Sequence, residues 1–264
     1  MKNIKSIYYH NPDPIGFERM IRYYKNRNYS FISIKELCSI IQAKRRDCRK
    51  LVFVSLDDGW RCNLDLIPII EKYKVPICIF VATEPLISGN FWWEYVLKER
   101  GLKKMIEFKS LPYEDFIKEL TEIKNRLVLQ RSSLTEDEVR SLSSHPLVSI
   151  QSHTVTHPIL TSLQDNMLDM EMSVSKQKLE ELVKDDIFAF SYPNGSFTER
   201  EMTVCSKYYT IAFSTEQKHI CLTDNRYKLP RYALTGAYYR DLLKVWGIWK
   251  YLKRIQGIFR KNSY

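Results

Sequence analysis

The sequence lacks several features that define other classes of protein. None of its six cysteines forms a C-x-x-C pair; they lie at positions 38, 48, 62, 78, 205 and 221. Scattered cysteines without such a framework are typical of a reducing compartment. No apolar run is long enough to span a bilayer, and the stretch MKNIKSIYYHNPDPIG has no apolar signal segment. We therefore expect a cytoplasmic protein, in which Cys78 is a small core hydrophobe.

Internal repeats, low-complexity segments and base-reading motifs are also absent from the sequence. The formal net charge is +10, which would suit nucleic acid, an acidic membrane surface or a phosphorylated substrate. Residues 240–264 hold seven Lys or Arg residues against one Asp, so more than half of the excess charge lies there. Because this charge forms a tail rather than a groove, we expect no nucleic-acid partner.

Strand-like and helix-like segments alternate along most of the chain. The apolar stretches LVFVSL and VPICIFVA are separated by the helical segment LDLIPIIEKYK, which predicts a βαβ unit and a parallel sheet. Residues 89–145 have helical patterns only and predict an inserted helical layer. The sequence therefore predicts an α/β barrel or a doubly wound sheet as a single domain over residues 1–237, with a lead-in at 1–50. The basic tail at 238–264 follows this domain.

Two polar clusters follow predicted strands and could bind a metal ion. In VFVSLDDGW, Asp57 and Asp58 come directly after a buried strand, where adjacent like charges are unfavourable without a cation. In SIQSHTVTHPIL, His153 and His157 are four residues apart and can face the same way. The H-x-x-x-H pattern alone fits two ordinary surface histidines equally well. With a carboxylate, it predicts a catalytic site for Zn²⁺ or a similar divalent ion, because two histidines and one carboxylate leave coordination positions open.

The stretch FAFSYPNG is a third cluster at the end of a predicted strand. Pro193, Asn194 and Gly195 are typical turn residues, and a simple turn explains them. In a barrel, however, loops at the C-terminal ends of strands assemble the site. The backbone N–H of Asn194 is our candidate for stabilising an oxyanion during amide hydrolysis.

The motifs SLDDG, SHTVTH and SYPNG, in this order and spacing, resemble the polysaccharide deacetylase (NodB-homology, carbohydrate esterase family 4) family. The resemblance covers roughly residues 50–235. It implies a distorted (β/α) barrel with fewer strands than a full eightfold one and a metal-dependent carbohydrate esterase activity. It also implies that Asp57 is the general base and that the metal ligands are Asp58, His153 and His157.

The sequence departs from the family pattern in ways that concern catalysis. Ser191 stands where the third motif usually has an arginine, and no histidine follows His219 to supply the usual acid. Arg231, which follows a predicted strand, either orients Asp57 from another direction or is an ordinary surface residue. His10 follows the first candidate strand and is our candidate for the acid. Asn194 also replaces an expected aromatic residue.

The tail combines its positive charge with apolar residues at spacings of three and four between residues 238 and 259, which predicts an amphipathic helix. Such a helix either docks on the barrel or lies on an anionic membrane surface. Gly247 and Gly257 weaken the helix in both cases.

These features predict a metal-dependent hydrolase that removes an acetyl group from an N-acetylated amino sugar. The substrate would belong to cell-surface glycan synthesis and could be lipid-linked or nucleotide-linked, and the protein could contact the inner face of the membrane peripherally. Two alternatives stay open: a non-catalytic carbohydrate-binding protein on the same fold, and hydrolysis of a C–N bond outside sugars.

Overall fold

The computed structural model describes residues 3–43 and 49–248 of the chain. Its sheet contains eight strands: β1 Lys5–Tyr9, β2 Ser30–Ile32, β3 Leu51–Leu56, β4 Ile77–Val81, β5 Val148–Ser152, β6 Ala189–Ser191, β7 Ile211–Phe213 and β8 Tyr232–Ala233. Seven strands follow the order β7-β6-β5-β4-β3-β1-β8, and β2 pairs with β3 off this path. Every pairing between these strands is parallel. The parallel sheet predicted from the βαβ pattern is confirmed, and β3 coincides with the segment LVFVSL.

Helices connect the strands, as parallel pairing requires. They are α1 Pro14–Lys25, α2 Ile34–Ala43, α3 Ile67–Tyr73, α4 Pro85–Ser88, α5 Trp92–Phe108, α6 Tyr113–Arg126, α7 Glu136–Ser143, α8 Asp165–Val183, α9 Glu199–Tyr208 and α10 Tyr238–Val245. Local sequence fixes several helix starts. At α7, for example, the Thr135 hydroxyl accepts from the Glu138 N–H at 3.1 Å while the Glu138 carboxylate accepts from the Thr135 N–H at 2.9 Å.

The sheet is curled, so that its two faces bury different sets of side chains. Phe53 on β3 and Phe213 on β7 are four strands apart in the sheet order, yet their rings stack with centroids 5.2 Å apart. Phe80 on β4 joins them, and Cys78 lies on the same inner face, buried as predicted. The alternate residues, such as Val54, pack outward against the helices. This curled sheet is the predicted distorted barrel rather than the doubly wound alternative.

Helices α4 to α7 lie between β4 and β5, and α5 and α6 share a separate hydrophobic cluster. Trp92 belongs to this cluster, and its indole N–H donates to the carbonyl oxygen of His157 at 3.0 Å. Gly101 interrupts α5 with a φ of 77°, a conformation that glycine adopts without strain. The helical segment is therefore attached to the C-terminal ends of the strands, where the histidine motif lies.

Two predicted features near the C-terminus differ from the structure. Arg231 does not follow a strand; it immediately precedes β8, a two-residue strand after Pro230. The first helix of the predicted segment 238–259, α10, ends at Val245, and the predicted helix is interrupted there because Gly247 turns the chain with a φ of 76°. Leu242 and Val245 are buried against the barrel. The described part of the tail is thus docked, and residues 249–264 lie outside the described part.

Within the described residues, no helix combines the length and apolar character needed to cross a membrane.

Candidate active site

A cavity of about 620 Å³ opens at the C-terminal ends of the strands. His10 follows β1 into it, Asp57 and Asp58 follow β3, and His153 follows β5. His157 and Asn194 also line the cavity. The structure therefore brings together six of the seven residues singled out from the sequence, and the seventh, Arg231, is fully buried against Asp57.

Asp58, His153 and His157 form a tight, buried cluster. The Oδ1 atom of Asp58 lies 3.3 Å from Nε2 of His153 and 3.4 Å from Nε2 of His157. All three side chains are at most 8% exposed. One ligand atom from each residue lies within 4.8 Å of the others, as binding of a single ion requires.

Neighbouring groups fix the orientation of two members of this cluster. Nδ1 of His153 lies 2.7 Å from the carbonyl oxygen of Ser191, which can only accept, so Nδ1 carries the proton and Nε2 keeps its lone pair. The Trp60 indole N–H donates to Oδ2 of Asp58 at 2.8 Å. The remaining oxygen, Oδ1, is buried without a hydrogen-bond partner in the described part of the chain.

These donors fit a divalent cation. A carboxylate oxygen and an imidazole lone pair that face each other at 3.3 Å repel unless a proton or a cation lies between them. One carboxylate and two neutral histidines match the ligand preferences of Zn²⁺ and similar ions and leave positions open. The residues that would hold the ion are Asp58, His153 and His157.

The environment holds these groups in the protonation states that metal ligands need. Burial, with a smaller contribution from the nearby His153, lowers the pKa of His157 to about 3. Burial alone would raise the pKa of Asp58, but the nearby imidazoles of His153, His10 and His157 outweigh burial and lower that pKa. His157 is therefore neutral and Asp58 ionised at neutral pH.

The second carboxylate, Asp57, is held by a buried arginine. Nη1 and Nη2 of Arg231 donate to Oδ1 and Oδ2 of Asp57 at 2.7 and 2.8 Å. Burial would raise the pKa of Asp57, but the charge of Arg231, followed by that of His153, overcomes burial and lowers it. The bidentate contact fixes the plane of the carboxylate and keeps it ionised.

Serine side chains complete the surroundings of this ion pair. Nη2 of Arg231 also donates to Oγ of Ser191 at 2.7 Å, and Nη1 donates to Oγ of Ser55 at 2.9 Å. The Ser191 hydroxyl in turn donates to Asp57 at 3.2 Å. Sequence reasoning noted Ser191 only as a missing arginine. The structure shows that the Ser191 hydroxyl instead contacts the guanidinium of Arg231, the residue that immediately precedes β8.

The loop that carries the two histidines is held by Glu171 of α8, which sequence reasoning missed. Its Oε2 accepts from the backbone N–H groups of Val155 and Thr156 at 2.8 and 3.0 Å, and Oε1 accepts from the Thr156 hydroxyl. Thr154 and His157 have positive φ angles of 73° and 57°, which are uncommon for such residues. No local pattern marks Glu171, because it lies 14 residues after His157 in an ordinary amphipathic helix.

The remaining candidates lie in different surroundings. His10 is exposed at the cavity mouth, and its ring packs edge-on against Tyr8. Asn194 has a φ of 54°, and its Oδ1 accepts from the Lys109 ammonium at 2.6 Å. His219 is not among the cavity residues; its Nε2 lies 3.1 Å from the carbonyl oxygen of Val245.

Trp60 and Trp93 line one side of the cavity, and the buried Phe91 ring lies behind them. Phe91 and Trp93 stack with centroids 4.7 Å apart, and Trp60 packs on Phe91 at 4.4 Å. The Trp93 ring lies 4.7 Å from that of His157. Rigid aromatic surfaces beside a few convergent polar groups are typical of small-molecule and sugar sites.

Fold and site together define a class: parallel α/β barrels with a histidine–carboxylate cluster and a second ionised carboxylate at the C-terminal ends of the strands. Comparison with known proteins gives the family. The polysaccharide deacetylase family model matches residues 44–209, more than half of the chain. The protein belongs to the polysaccharide deacetylase family.

Two relatives illustrate the sequence similarity. YxkH of Bacillus subtilis strain 168 is 22% identical over 217 residues, which cover 81% of this chain and 62% of that protein. The poly-beta-1,6-N-acetyl-D-glucosamine N-deacetylase of Staphylococcus aureus is 21% identical over 232 residues, which cover 87% of this chain and 70% of the enzyme. The chain thus spans about two thirds of the length of these relatives.

Solved structures share the fold. The Streptococcus pyogenes deacetylase PplD, in complex with acetate, superposes with a TM-score of 0.70 at 18% identity, covering 92% of this chain and 97% of PplD. IcaB from Ammonifex degensii gives 0.67 at 14% identity, covering 92% and 96%. At these identities the likeness establishes the distorted (β/α) barrel and nothing finer.

Proposed function

We propose that this protein is a metal-dependent hydrolase that removes the acetyl group from an N-acetylated amino sugar of a cell-surface glycan. The observation that carries the proposal is the ionised, arginine-bound Asp57 directly beside the Asp58–His153–His157 cluster. A site that only binds sugar has no need for a second buried carboxylate held ready to accept a proton. The name of the Staphylococcus aureus relative supports an N-acetylated glycan as substrate.

The cluster of Asp58, His153 and His157 would hold a divalent ion, for which Zn²⁺ is our proposal. When bound, such an ion polarises a carbonyl oxygen and lowers the pKa of water. The protein's own groups then divide the remaining work between base, oxyanion donor and acid.

In this scheme, Asp57 accepts the proton of the attacking water, and Arg231 keeps the carboxylate oriented and ionised. The water oxygen adds to the acetyl carbon, and the backbone N–H of Asn194 stabilises the oxyanion. His10 gives a proton to the sugar nitrogen as the C–N bond breaks. The products are acetate and a free amine. The Trp60 and Trp93 rings, which line the cavity, would pack against a sugar ring.

Acetate release from a panel of N-acetylhexosamine compounds, measured together with metal content, tests the proposal. We expect release that a chelator abolishes and Zn²⁺ restores. Asp57→Asn should keep the metal and lose about 10²–10⁴-fold in rate, because only the base is removed.

The result also separates the alternatives. Sugar binding without acetate release by the wild-type protein would indicate a binding protein, and release from non-sugar amides alone would indicate a different C–N hydrolase. Loss of metal in Asp57→Asn would mean that the two aspartates have the opposite roles.

A further inference from the structure

We propose that Lys109 recognises an anionic group of the substrate, so that the acetylated glycan carries a phosphate or a carboxylate near the acetamido sugar. This inference rests on the proposed function, because Lys109 lines the same cavity as Asp57 and the histidine cluster. The inference goes beyond the proposed function because it specifies the charge of the substrate, which neither the family nor the relatives' names assign.

Lys109 lies where the helical segment meets the catalytic loops. It follows the last residue of α5, and its Nζ donates to the side-chain oxygen of Asn194 at 2.6 Å, across the cavity from α5 to the loop after β6. The side chain is partly buried, and burial lowers the pKa of its ammonium. The other N–H donors of the Lys109 ammonium remain available to a ligand. The ammonium already faces the loop that carries Asn194, the proposed oxyanion donor.

The Lys109 ammonium has no carboxylate partner among residues 3–43 and 49–248. The two carboxylates of the cavity are engaged elsewhere: Asp57 with Arg231, and Asp58 with Trp60 and the histidines. Lys104, on the same helix, does pair with Glu107 at 2.8 Å. A partly desolvated cation without a counter-charge is unfavourable, and an anion that enters the cavity removes this penalty.

An anionic group on the ligand accounts for the position of Lys109 better than a neutral hydroxyl group does. Hydrogen bonds between two ionised groups are roughly twice as strong as neutral ones, and phosphate and carboxylate oxygens offer the acceptors that an ammonium needs. A neutral sugar hydroxyl would bind without compensating the charge.

The test compares three oligosaccharides: a neutral N-acetylglucosamine trisaccharide, the same trisaccharide bearing a phosphate, and one that alternates N-acetylglucosamine with glucuronic acid. Each is measured for kcat/KM and, by calorimetry, for binding. The variants are Lys109→Met, Lys109→Arg and, as matched control, Lys103→Met, which removes an exposed lysine of α5. Thermal unfolding verifies that each variant is folded.

We expect Lys109→Met to lose about 10- to 100-fold in kcat/KM on one of the two anionic substrates, the range for a charged hydrogen bond, and to change little on the neutral one. Lys109→Arg should restore most of the loss, and Lys103→Met should match the wild type. The phosphate and carboxylate substrates distinguish the two sources of the charge. Added salt should raise the wild-type KM for the anionic substrate but not that of Lys109→Met.

An equal loss on neutral and anionic substrates would overturn the inference, since Lys109 would then only position the Asn194 loop. Unchanged kinetics and binding would overturn it as well. If the wild type releases no acetate but binds the anionic oligosaccharide more weakly after Lys109→Met, the proposed function fails while the recognition of an anion stands.

Discussion

Arg231 and Asp57 form an ion pair that is almost completely inaccessible to solvent, with side chains 0% and 4% exposed. Such a pair contributes little net stability, but removing one partner leaves an uncompensated buried charge that costs about 3–5 kcal/mol. The arginine also lies against the Tyr8 ring, 4.2 Å from its centroid. Its role is therefore specific to Asp57: it fixes one carboxylate in one orientation and one charge state.

Substrates with different leaving groups test the proposed role of His10 as the acid. His10→Gln should slow hydrolysis of amide substrates by about 10²-fold or more, because an amine leaves only after it has been protonated. Esters with good leaving groups should be affected much less. The measurement is kcat on a matched amide and ester.

His145→Gln is the control for His10→Gln, because His145 pairs with Glu71 and does not line the cavity. Equal slowing of amide and ester by His10→Gln would contradict the assignment of His10 as the acid.

At the scale of elements, α8 supports the histidine loop through Glu171. Glu171→Gln keeps the size of the side chain and one oxygen for the N–H groups, but it removes the negative charge and puts an NH₂ where Oε1 accepts from the Thr156 hydroxyl. Because groups that orient metal ligands typically contribute 10–100-fold in affinity, we expect Zn²⁺ binding to weaken by about that factor. Titration with a competing chelator measures it.

Glu181→Gln serves as the control for Glu171→Gln, since Glu181 is an exposed residue of the same helix. Unchanged Zn²⁺ affinity in Glu171→Gln would show that the loop keeps its shape without the carboxylate.

His219 contacts the last residue of α10, with its Nε2 atom 3.1 Å from the carbonyl oxygen of Val245. Burial lowers the pKa of His219 to about 4, below its ordinary value of 6.5. Between these values the unfolded chain binds the proton and the folded one does not, so stability falls as pH falls from about 6.5 to 4. His219→Gln keeps a donor for the Val245 carbonyl and should show a smaller decrease in melting temperature over this range.

Comparing the melting temperatures of wild type and His219→Gln separates the contribution of His219 to the acid sensitivity from that of the other histidines. Parallel melting curves for the two proteins from pH 7 to 4 would contradict a role for His219 in the acid sensitivity.

Element predictions succeeded where the sequence pattern is long and local. Strand β3 and the helices of the inserted segment have clear apolar periodicity, and sequence alone located them. Strands β2 and β8 have three and two residues, too few for an alternation to be visible. The interruption after α10 lies at Gly247, which the sequence marks as a weak point of the predicted helix.

At the scale of the whole molecule, the ligand cluster links the ends of β3 and β5, so metal binding should stabilise the fold. An ion that binds only the folded state at 100 times its Kd adds about 2.7 kcal/mol. We expect Zn²⁺ to raise the melting temperature by several degrees and a chelator to reverse the increase. Differential scanning fluorimetry measures both.

Asp58→Ala should abolish the increase caused by Zn²⁺, whereas Asp57→Asn should retain it. A shift of equal size in Asp58→Ala would place the ion elsewhere.

The sequence could predict the components of the site but not all of their connections. Asp57, Asp58 and the two histidines stand in motifs whose spacing is visible along the chain. The sequence leaves two interpretations of Arg231 open, a residue that orients Asp57 or an ordinary surface residue. Nothing in KLPRY reveals that its side chain reaches Ser191 across the barrel. Lys109 and Glu171 reach the site through tertiary packing, which no local pattern encodes.

The pair of Asp57 and Arg231 also joins two distant parts of the chain. The two residues are 174 positions apart, so a growing polypeptide presents the aspartate and both histidines long before the arginine has been synthesised. Contacts between residues so far apart in sequence form late in folding, because closing a large loop costs conformational entropy before the contact can stabilise the chain. In the folded protein the guanidinium of Arg231 lies among the rings of Tyr8, Phe80 and Phe213, where it pairs with the carboxylate. A chain that ends before residue 231 therefore lacks the guanidinium that pairs with Asp57, the proposed base, and leaves that carboxylate without its buried counter-charge.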